Sequence, residues 1–465
     1  MRILFITHFF PPKHNAGTEN YTAGLAQAFL GRGHQIHVVC AEDWQTGTTY
    51  WNGVTEDIYN GVPVQRLHLN WMEASNPNHI LYDSPQVERW LDQLLDKIKP
   101  DIVHVTSVSS LGVGVLRSAQ RAGIPLVLTL MDFWFSCPQI VLMRNDGQLC
   151  NGLTTPWECQ QCLLASSGLY HKVQRVLPLQ LQPAVWQKLS QTPILAGRRG
   201  LRGMALNMIE RKALVEQGLK LPNIIISHSR FVQQVFSQAG LSQRVVHIPN
   251  GHELNWLLPY QGKSQSPVLR FGYMGQIAPT KGIHILIEAF QKADLHGAAR
   301  LDIWGDLAKD SDYVEKLRSL MGGASSIALR GRFQRDHLAK VLADIDILVV
   351  PSLWYENAPL VIQEAFATQT PVIATNLGGM AEAVTHEING LLFERGNADD
   401  LARQMRRIVD EPGLLERLQA GVPPVKTIDQ EVDELEAIYG KLITQHLPSS
   451  DVSISPKTHP QINLV

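Results

Sequence analysis

The chain has few of the features that mark secreted, membrane-spanning or nucleic-acid-binding proteins. Its 465 residues include five cysteines, too few for a secreted disulfide framework. No run of about 18 apolar residues occurs, so no transmembrane helix is expected. Charged residues make up 18% of the chain and the net charge is −2, which argues against a nucleic-acid partner. The apolar start, MRILFITHFFPP, is too short for a signal peptide. We therefore expect a cytoplasmic protein.

What the chain does have is enough apolar sequence for two or three domains, since 45% of its residues are hydrophobic. Strands and helices alternate strictly in the second half, which predicts a doubly wound parallel sheet. The predicted strands of that half lie near 268–274, 300–304, 326–330, 346–350, 371–375 and 390–393. Its predicted helices lie near 281–293, 311–321, 335–343, 358–368, 379–385 and 397–410. In the first half, strands are predicted at Arg2–Thr7, Gln35–Cys40, Pro100–Val105, Ile124–Leu130 and Asn223–Ser229.

The stretch from Pro351 to Thr375 has the clearest arrangement of chemistry. It follows a predicted buried strand, and Glu356 lies in the loop after that strand. Pro359 can begin a helix because the first helical residue needs no N–H partner, and this helix carries Glu364. Ligands of open α/β sheets bind at such strand ends, and helix N-termini suit anions. Two glutamates eight apart are by themselves ordinary solvated residues, but here the surrounding elements fit a site.

This arrangement resembles the E-x7-E signature of the family 4 retaining glycosyltransferases. The resemblance implies a GT-B fold, in which two Rossmann-like domains face each other across a cleft. It assigns Glu356 to the donor sugar and Glu364 to the two ribose hydroxyls of a nucleotide-diphosphate sugar. The neighbouring main chain is assigned to donor hydroxyls or phosphate, through Asn357, Ala358, Pro359 and Leu360. No metal or other cofactor is implied for catalysis.

A second stretch, Phe271–Gly282, reads as a strand, a glycine loop and a helix start. It resembles the family's GR-x4-KG loop, in which Arg and Lys hold the diphosphate. Gly275 and Lys281 match that pattern, and Gln276 replaces the Arg, so one positive charge is missing. Arg332 lies in Arg330–Phe333, where relatives hold the base. A plain strand-ending turn is the alternative for that segment.

The first half carries weaker matches to the same family. The loop after the first strand holds two prolines and then Gly17, followed by a helix from about Glu19 to Leu30 and an R-G-H turn. Relatives often have His-Asp at the end of a later strand, but this chain has Met131 there, which cannot donate a hydrogen bond. Of this His-Asp pair only Asp132 is carried over, and it joins Glu356 and Lys281 as the predicted catalytic residues. The resemblance is weakest over 41–95 and 137–220.

Four of the five cysteines lie within 26 residues, and the last two form a C-x-x-C pair. Four thiolates suit a tetrahedral structural zinc, and the alternative is four unlinked buried thiols. The pattern resembles a cysteine-bearing insertion found in a subset of the family. The predicted zinc ligands are Cys137, Cys150, Cys159 and Cys162.

A basic stretch from His171 to Lys220 has nine Lys and Arg against two Glu, interleaved with apolar residues. This composition predicts contact with anionic lipid at the inner face of the membrane or with a lipid-linked acceptor. The alternative is a solvated cap on the cysteine insertion.

The predicted domains are an acceptor domain at 1–255, with the insertion at about 137–220, and a donor domain at 266–425. A helix at 428–446 is expected to cross back onto the first domain, and 447–465 is expected to be disordered. The predicted function is retaining sugar transfer from a nucleotide-diphosphate sugar to a glycan, lipid-linked or small-molecule acceptor, as in polysaccharide biosynthesis. The alternatives are an inactive GT-B protein that binds a nucleotide or a surface, and a sugar-nucleotide epimerase.

Overall fold

A computed structural model describes residues 1–165, 201–238, 245–295 and 297–446 of the protein. These residues form two sheets of mostly parallel strands. Helices pack on both faces of each sheet. The elements of the first half are, in chain order, β1 (Arg2–Ile6), α1 (Gly17–Gly31), β2 (Gln35–Asp43), β3 (Trp51–Tyr59), β4 (Val62–Leu69), α2 (Pro77–Ile80), α3 (Pro85–Ile98), β5 (Ile102–Val105), α4 (Gly114–Arg121), β6 (Leu126–Leu130), α5 (Pro156–Leu164), α6 (Leu201–Gly218), β7 (Ile224–Ser227), α7 (Arg230–Phe236) and β8 (Val245–His247).

The first sheet has the strand order β3-β4-β2-β1-β5-β6-β7-β8. Over the described residues, only the β3–β4 pair is antiparallel. The central strands are short apolar runs that are buried along their whole length, as parallel strands covered on both faces must be. The carboxyl ends of β1, β5 and β6 therefore meet at one edge of this sheet.

The second sheet has the order β11-β10-β9-β12-β13-β14, and all its described pairings are parallel. Its elements are β9 (Leu269–Met274), α8 (Ile283–Ala293), β10 (Ala299–Trp304), α9 (Ser311–Met321), β11 (Ile327–Gly331), α10 (Leu338–Ala343), β12 (Ile347–Val350), α11 (Leu360–Ala367), β13 (Val372–Thr375), α12 (Gly378–Ala383), β14 (Gly390–Phe393), α13 (Ala398–Asp410), α14 (Leu414–Ala420) and α15 (Ile428–His446). Each predicted strand of this half is confirmed to within one residue at either end.

The stretch 41–95, where the resemblance is weakest, holds a hairpin and a helix that the sequence analysis left unassigned. Asn60 and Gly61 both have positive φ and join β3 to β4, as expected for an Asn-Gly hairpin turn. Helix α3 begins at Pro85, and the Ser84 hydroxyl accepts a hydrogen bond from the Val87 N–H. A serine N-cap and a proline at the first helical position are both ordinary sequence signals of a helix start.

Helix α15 comes from the end of the chain but packs on the first sheet beside α1. The Tyr439 hydroxyl lies 2.5 Å from His104 Nδ1, and its ring stacks on Phe29. The carboxylate of Glu431 is buried and accepts hydrogen bonds from the Tyr21 hydroxyl and the Gly251 N–H, each at 2.6 Å. Helix α15 is thereby fixed to the first domain.

The chain thus crosses between the domains twice, once before β9 and once before α15. The two crossing segments are bonded to each other: the His252 N–H donates to the Lys426 carbonyl at 3.0 Å, and the Ile428 N–H donates to the His252 carbonyl at 2.9 Å. At Gly251, an added Cβ would lie 2.4 Å from the Thr427 carbonyl oxygen, so glycine permits this close approach. We call this paired segment the double crossing.

Within the described ranges, every helix is too short or too polar to cross a lipid bilayer.

Candidate functional site

Glu356 lies where the sequence analysis placed it, in the loop between β12 and α11. Its Oε1 accepts a hydrogen bond from the Ser352 hydroxyl at 2.7 Å and from Lys281 Nζ at 2.6 Å. The side chains of Lys281 and Glu356 are 21% and 13% exposed, so the ion pair is largely buried. The structure therefore brings these two predicted residues together at the ends of β9 and β12.

Gly282 explains how Lys281 comes so close to the Glu356 loop. This glycine has φ of +72°, and an added Cβ would lie 2.0 Å from the Pro351 carbonyl oxygen. The Leu353 N–H also donates to the Thr280 carbonyl at 2.8 Å, so the two loops are in main-chain contact. The predicted KG pair thus has a physical basis, because glycine allows the backbones to meet and lysine supplies the charge.

Glu364 lies on α11, and Oε1 of its buried carboxylate accepts a hydrogen bond from Arg335 Nη1 at 2.7 Å. Arg335 begins a short 3₁₀ turn after β11, and its side chain is 46% exposed. The sequence analysis missed Arg335, because it stopped at Arg330–Phe333. The predicted residue of that segment, Arg332, is exposed.

The first turn of α11 has no side-chain cap. Pro359 is its N-cap residue, with φ −67° and ψ 115°, and follows Ala358 directly. The helix begins at Leu360, one residue later than predicted. Uncapped N–H groups at a helix start are suited to bind an anionic or hydroxylated ligand.

Gly17 is the first residue of α1 and lies across the cleft from the start of α11. An added Cβ at Gly17 would lie 3.9 Å from Leu360 Cδ1, so the two domains are in van der Waals range there. In the second domain, Gly275 has φ of +152° and Gln276 is exposed at the end of β9. The Tyr273 hydroxyl donates to the Gln276 carbonyl at 2.7 Å and fixes that loop.

Asn357 joins the two domains. Its Nδ2 donates to the carbonyls of Leu130 and Met131, at 2.8 and 3.2 Å, and its Oδ1 accepts from the Ser229 hydroxyl at 2.8 Å. The side chain is thus engaged at the end of β6, so the donor contact predicted for Asn357 would fall to its main chain.

Glu382 makes a second contact between the domains. Its carboxylate accepts hydrogen bonds from the N–H groups of Arg230 and Phe231, at 2.9 and 3.0 Å, at the start of α7. A carboxylate at a helix N-terminus is favoured by the helix dipole. The ring of Phe231 also stacks on Tyr355, next to Glu356.

Asp132 follows β6, and its Oδ1 accepts a hydrogen bond from the Trp134 N–H at 2.8 Å. Burial raises the pKa of Asp132. His8 and Glu19 act on it electrostatically and were not singled out from the sequence. Their positions could have marked them as site residues, since His8 follows the first strand and Glu19 is in the first turn of the helix after Gly17.

The four clustered cysteines line one small cavity together with Arg144 and Glu158. All four are free thiols. Over the described residues, however, no three or more His, Cys, Asp or Glu side chains are gathered closely enough to hold a metal ion. Zinc binding would require the thiols to move closer, so the zinc site stays a prediction.

The basic stretch 171–220 lies outside the described residues as far as residue 200. On α6, Arg211 is buried rather than presented on a surface: it lies over the Trp134 ring at 4.9 Å and donates to the Trp134 carbonyl. Burial lowers the pKa of Arg211 to about 10. This residue therefore does not belong to a lipid-facing surface.

Comparison with known proteins finds glycosyltransferase relatives for both halves of the chain. Residues 261–422 match the family described as glycosyl transferases group 1, and residues 16–176 match the glycosyl transferase 4-like domain. An uncharacterized glycosyltransferase of Methanocaldococcus jannaschii, MJ1607, is 33% identical over 144 residues, which are 31% of this chain and 36% of that protein. A D-inositol 3-phosphate glycosyltransferase of Rhodococcus jostii is 33% identical over 159 residues, which are 32% and 35% of the two chains.

Solved structures share the fold over nearly the whole chain. Sucrose-phosphate synthase from Thermosynechococcus elongatus aligns with a TM-score of 0.63 at 16% identity, covering 96% of this chain and 99% of that one. Anabaena Alr3699/HepE in complex with UDP aligns with a TM-score of 0.59 at 19% identity, covering 94% and 100%. The aligned stretches span between 36% and 65% of three curated relatives, so sequence similarity is partial where structural similarity is nearly complete.

The fold is GT-B, with two Rossmann-like domains, as predicted. Each domain is similar over part of its length to one of these two glycosyltransferase families, and neither match reaches half of the chain.

Proposed function

We propose that the protein is a retaining glycosyltransferase that takes a sugar from a nucleotide-diphosphate sugar and attaches it to a hydroxyl of an acceptor. The observation that carries this proposal is the meeting of Lys281, Ser352 and Glu356 beside the uncapped start of α11. A cation, a carboxylate and free main-chain donors converge there on one crevice at the strand ends.

In this proposal the diphosphate lies against the loop of Gly275 and Gln276 and receives the charge of Lys281. Glu364 holds the ribose, and Arg332 lies on the side of the base. As the bond between the sugar and the diphosphate breaks, its electron pair stays on the diphosphate oxygen. Negative charge grows there, and donors that are already in place stabilise it.

Glu356 and Asp132 are assigned to the sugar ring from opposite walls of the cleft. Since Glu356 already holds Lys281 at 2.6 Å, the incoming diphosphate would compete with this carboxylate for the lysine. The carboxylate would then be free to accept hydrogen bonds from sugar hydroxyls. Donor binding and the arrangement of the sugar contact are therefore coupled in this proposal.

The donors to test first are uridine nucleotides. Among the structural relatives, Anabaena Alr3699/HepE was solved with UDP-glucose, and a starch synthase of Arabidopsis thaliana was solved with ADP. The acceptor class is a glycan, a lipid-linked sugar or a small polyol. The relative named for D-inositol 3-phosphate supports including small phosphorylated polyols among the candidates.

The second candidate is an inactive GT-B protein that binds a nucleotide without turnover. It is favoured by Gln276, which lacks the charge of the family's Arg, and by the pairing of Lys281 with Glu356. Incubation with UDP-, GDP- and ADP-sugars, with released nucleotide as the measurement, separates the two. Nucleotide release from one donor that is abolished in Lys281→Ala supports the enzyme. Tight nucleotide binding without release from any donor supports the inactive protein.

A further inference from the structure

Arg395 bonds to main-chain carbonyls of both domains. It lies two residues after β14 and is half-buried. Its Nε donates a hydrogen bond to the Leu353 carbonyl at 2.6 Å, and its Nη2 donates to the Gly147 carbonyl, also at 2.6 Å. Leu353 belongs to the second domain, three residues before Glu356, whereas Gly147 belongs to the first domain. One guanidinium therefore joins the loop of Glu356 to the other domain.

Gly147 lies at the turn of a small hairpin, residues 142–150, which we call the cysteine hairpin because it ends at one of the clustered cysteines. Met143 pairs with Leu149 in antiparallel fashion, and the N–H of the last residue donates to the carbonyl of the first at 2.8 Å. Gly147 has φ of +83°, a conformation that glycine adopts without strain. The Gly147 carbonyl therefore has a defined position for Arg395 to contact.

The same segment of the first domain touches the Glu356 loop at a second point. The Tyr355 ring is in edge contact with the Phe133 ring, with 6.3 Å between the ring centroids. Phe133 precedes the cysteine hairpin, and its carbonyl accepts a hydrogen bond from the Cys137 N–H at 2.7 Å. The cysteine-bearing part of the first domain thus holds the loop on both sides of Trp354.

The main chain of Leu353 is bonded on its other side to the loop of Lys281. The Leu353 N–H donates to the Thr280 carbonyl at 2.8 Å. Lys281 Nζ lies 5.0 Å from the centre of the Trp354 ring and 2.6 Å from Glu356 Oε1. Displacement of Leu353 would therefore disturb both members of this ion pair.

We propose that Arg395 is a positioning residue for the transfer reaction, and that it holds the Glu356 loop against the cysteine hairpin. Arg395 acts through the Leu353 main chain rather than by touching the donor. This inference rests on the proposed glycosyl transfer for its role, but the position of the loop can be measured without turnover. The cysteine hairpin thereby contributes to the active site whether or not the clustered thiols hold a metal.

The first test is fluorine NMR of protein labelled with 5-fluorotryptophan, because Trp354 directly follows Leu353. The chain has ten tryptophans, and the Trp354 signal is assigned by its loss in Trp354→Phe. This signal is expected to shift in Arg395→Met, which removes both hydrogen bonds. It is expected to shift less in Arg395→Lys, whose single nitrogen cannot occupy the positions of Nε and Nη2 together. Arg318→Met is the matched control, because Arg318 is an exposed arginine on α9 of the same domain.

Gly147→Ala tests the same contact from the first domain. The added Cβ would lie in open space, so the substitution acts through the positive φ, which L-residues disfavour. The turn is expected to change its conformation, and the Trp354 signal is expected to shift although no residue of the second domain is altered. Gly123→Ala is the matched control, because Gly123 also has positive φ and open space around its Cβ position.

The second test uses a donor that passes the nucleotide-release assay and separates kcat from KM. In Arg395→Met, kcat is expected to fall about tenfold because the groups that face the reacting bond are displaced, whereas the donor KM changes less than about threefold. Arg395→Lys is expected to recover part of the lost kcat, and Arg318→Met is expected to retain all of it.

The positioning role is overturned if Arg395→Met gives the same Trp354 signal as Arg318→Met, or if Gly147→Ala behaves like Gly123→Ala. It is also overturned if Arg395→Met raises the donor KM while kcat is unchanged. If Arg395→Met does not fold by circular dichroism, Arg395→Lys and Gly147→Ala decide. If no donor releases nucleotide, the proposed function fails, and the NMR measurement still decides whether Arg395 holds the loop.

Discussion

The pairing of Lys281 with Glu356 makes a prediction that separates stability from catalysis. The substitution Lys281→Met removes the charge but keeps a long side chain, and it leaves the 13%-exposed carboxylate of Glu356 with Ser352 as its remaining described partner. At 2.6 Å and an effective dielectric constant of about 20, the lost attraction is about 6 kcal/mol before any solvation is counted. Desolvation of both ions cancels most of that attraction in the native protein.

The net loss on removing one partner of a buried pair is about 3–5 kcal/mol, and the remaining exposure of both side chains reduces it to about 2 kcal/mol here. A loss of this size lowers the melting temperature by about 4–8 °C for a domain of 150–250 residues. Glu356→Gln in the same chain removes the unpaired charge, so the double variant should recover most of the lost melting temperature. Calorimetry of the two single variants and the double variant measures this coupling.

Catalytic turnover should not follow stability in these variants. Turnover should fall about a hundredfold in Lys281→Met, because a charge-assisted contact to the leaving diphosphate is worth about 3 kcal/mol. The double variant should stay inactive even though its stability returns. If the double variant is as unstable as Lys281→Met, the buried pair does not stabilise the fold as argued. If Lys281→Met turns over normally, Lys281 does not bind the diphosphate.

Four further predictions follow from other parts of the chain. Glu364→Gln should raise the donor KM about tenfold with a smaller effect on kcat, because the ribose is remote from the bond that breaks; unchanged donor affinity in steady-state kinetics would contradict the E-x7-E assignment. Burial raises the pKa of Glu431 to about 7, so its contribution to stability should be full below about pH 4.3 and be lost as the pH rises to 7. Urea titrations should show that Glu431→Gln flattens this slope, and an equal slope in both proteins would count against it. Protein purified without added metal should contain about one zinc by elemental analysis, and less than about 0.2 equivalents with freely titrating thiols would exclude the site. The segment 171–220 should bind anionic liposomes at low salt and release them at high salt, and no flotation at low salt would refute a membrane contact.

The second domain could be read from the sequence because its signals are local. Its strands are short apolar runs such as Ile347–Val350, its helices fill the intervals, and parallel sheets require this alternation. The sequence also predicted which residue types lie at the site, since Gly282 and Lys281 occur in a loop between a strand and a helix. The sequence predicted each of these residues without showing that Lys281 and Glu356 contact each other, because that contact joins two loops 75 residues apart.

What the sequence did not show depends on contacts between distant segments. Arg335 carries no local signal of a partner, and its role becomes visible only where α11 brings Glu364 within 2.7 Å. Asn357 looked like a donor ligand because of its neighbours, whereas its amide bonds to carbonyls at the end of β6. The β3–β4 hairpin did have a local signal at Asn60 and Gly61, but the strand β3 is largely exposed and lacks the buried apolar pattern of the strands that were predicted.

The double crossing near Gly251 and Thr427 has a consequence for how the cleft can open. Two segments that are bonded together through both hydrogen bonds of His252 act as one pivot, and the short covalent crossings limit how far the domains can separate by translation. Rotation about the pivot leaves those hydrogen bonds intact. We therefore expect a rotation in which atoms move farther the more distant they are from this point, while the spacing across the pivot stays constant. Spin labels placed on either side of the pivot would then report one fixed distance, and labels across the cleft would report a distribution that nucleotide narrows.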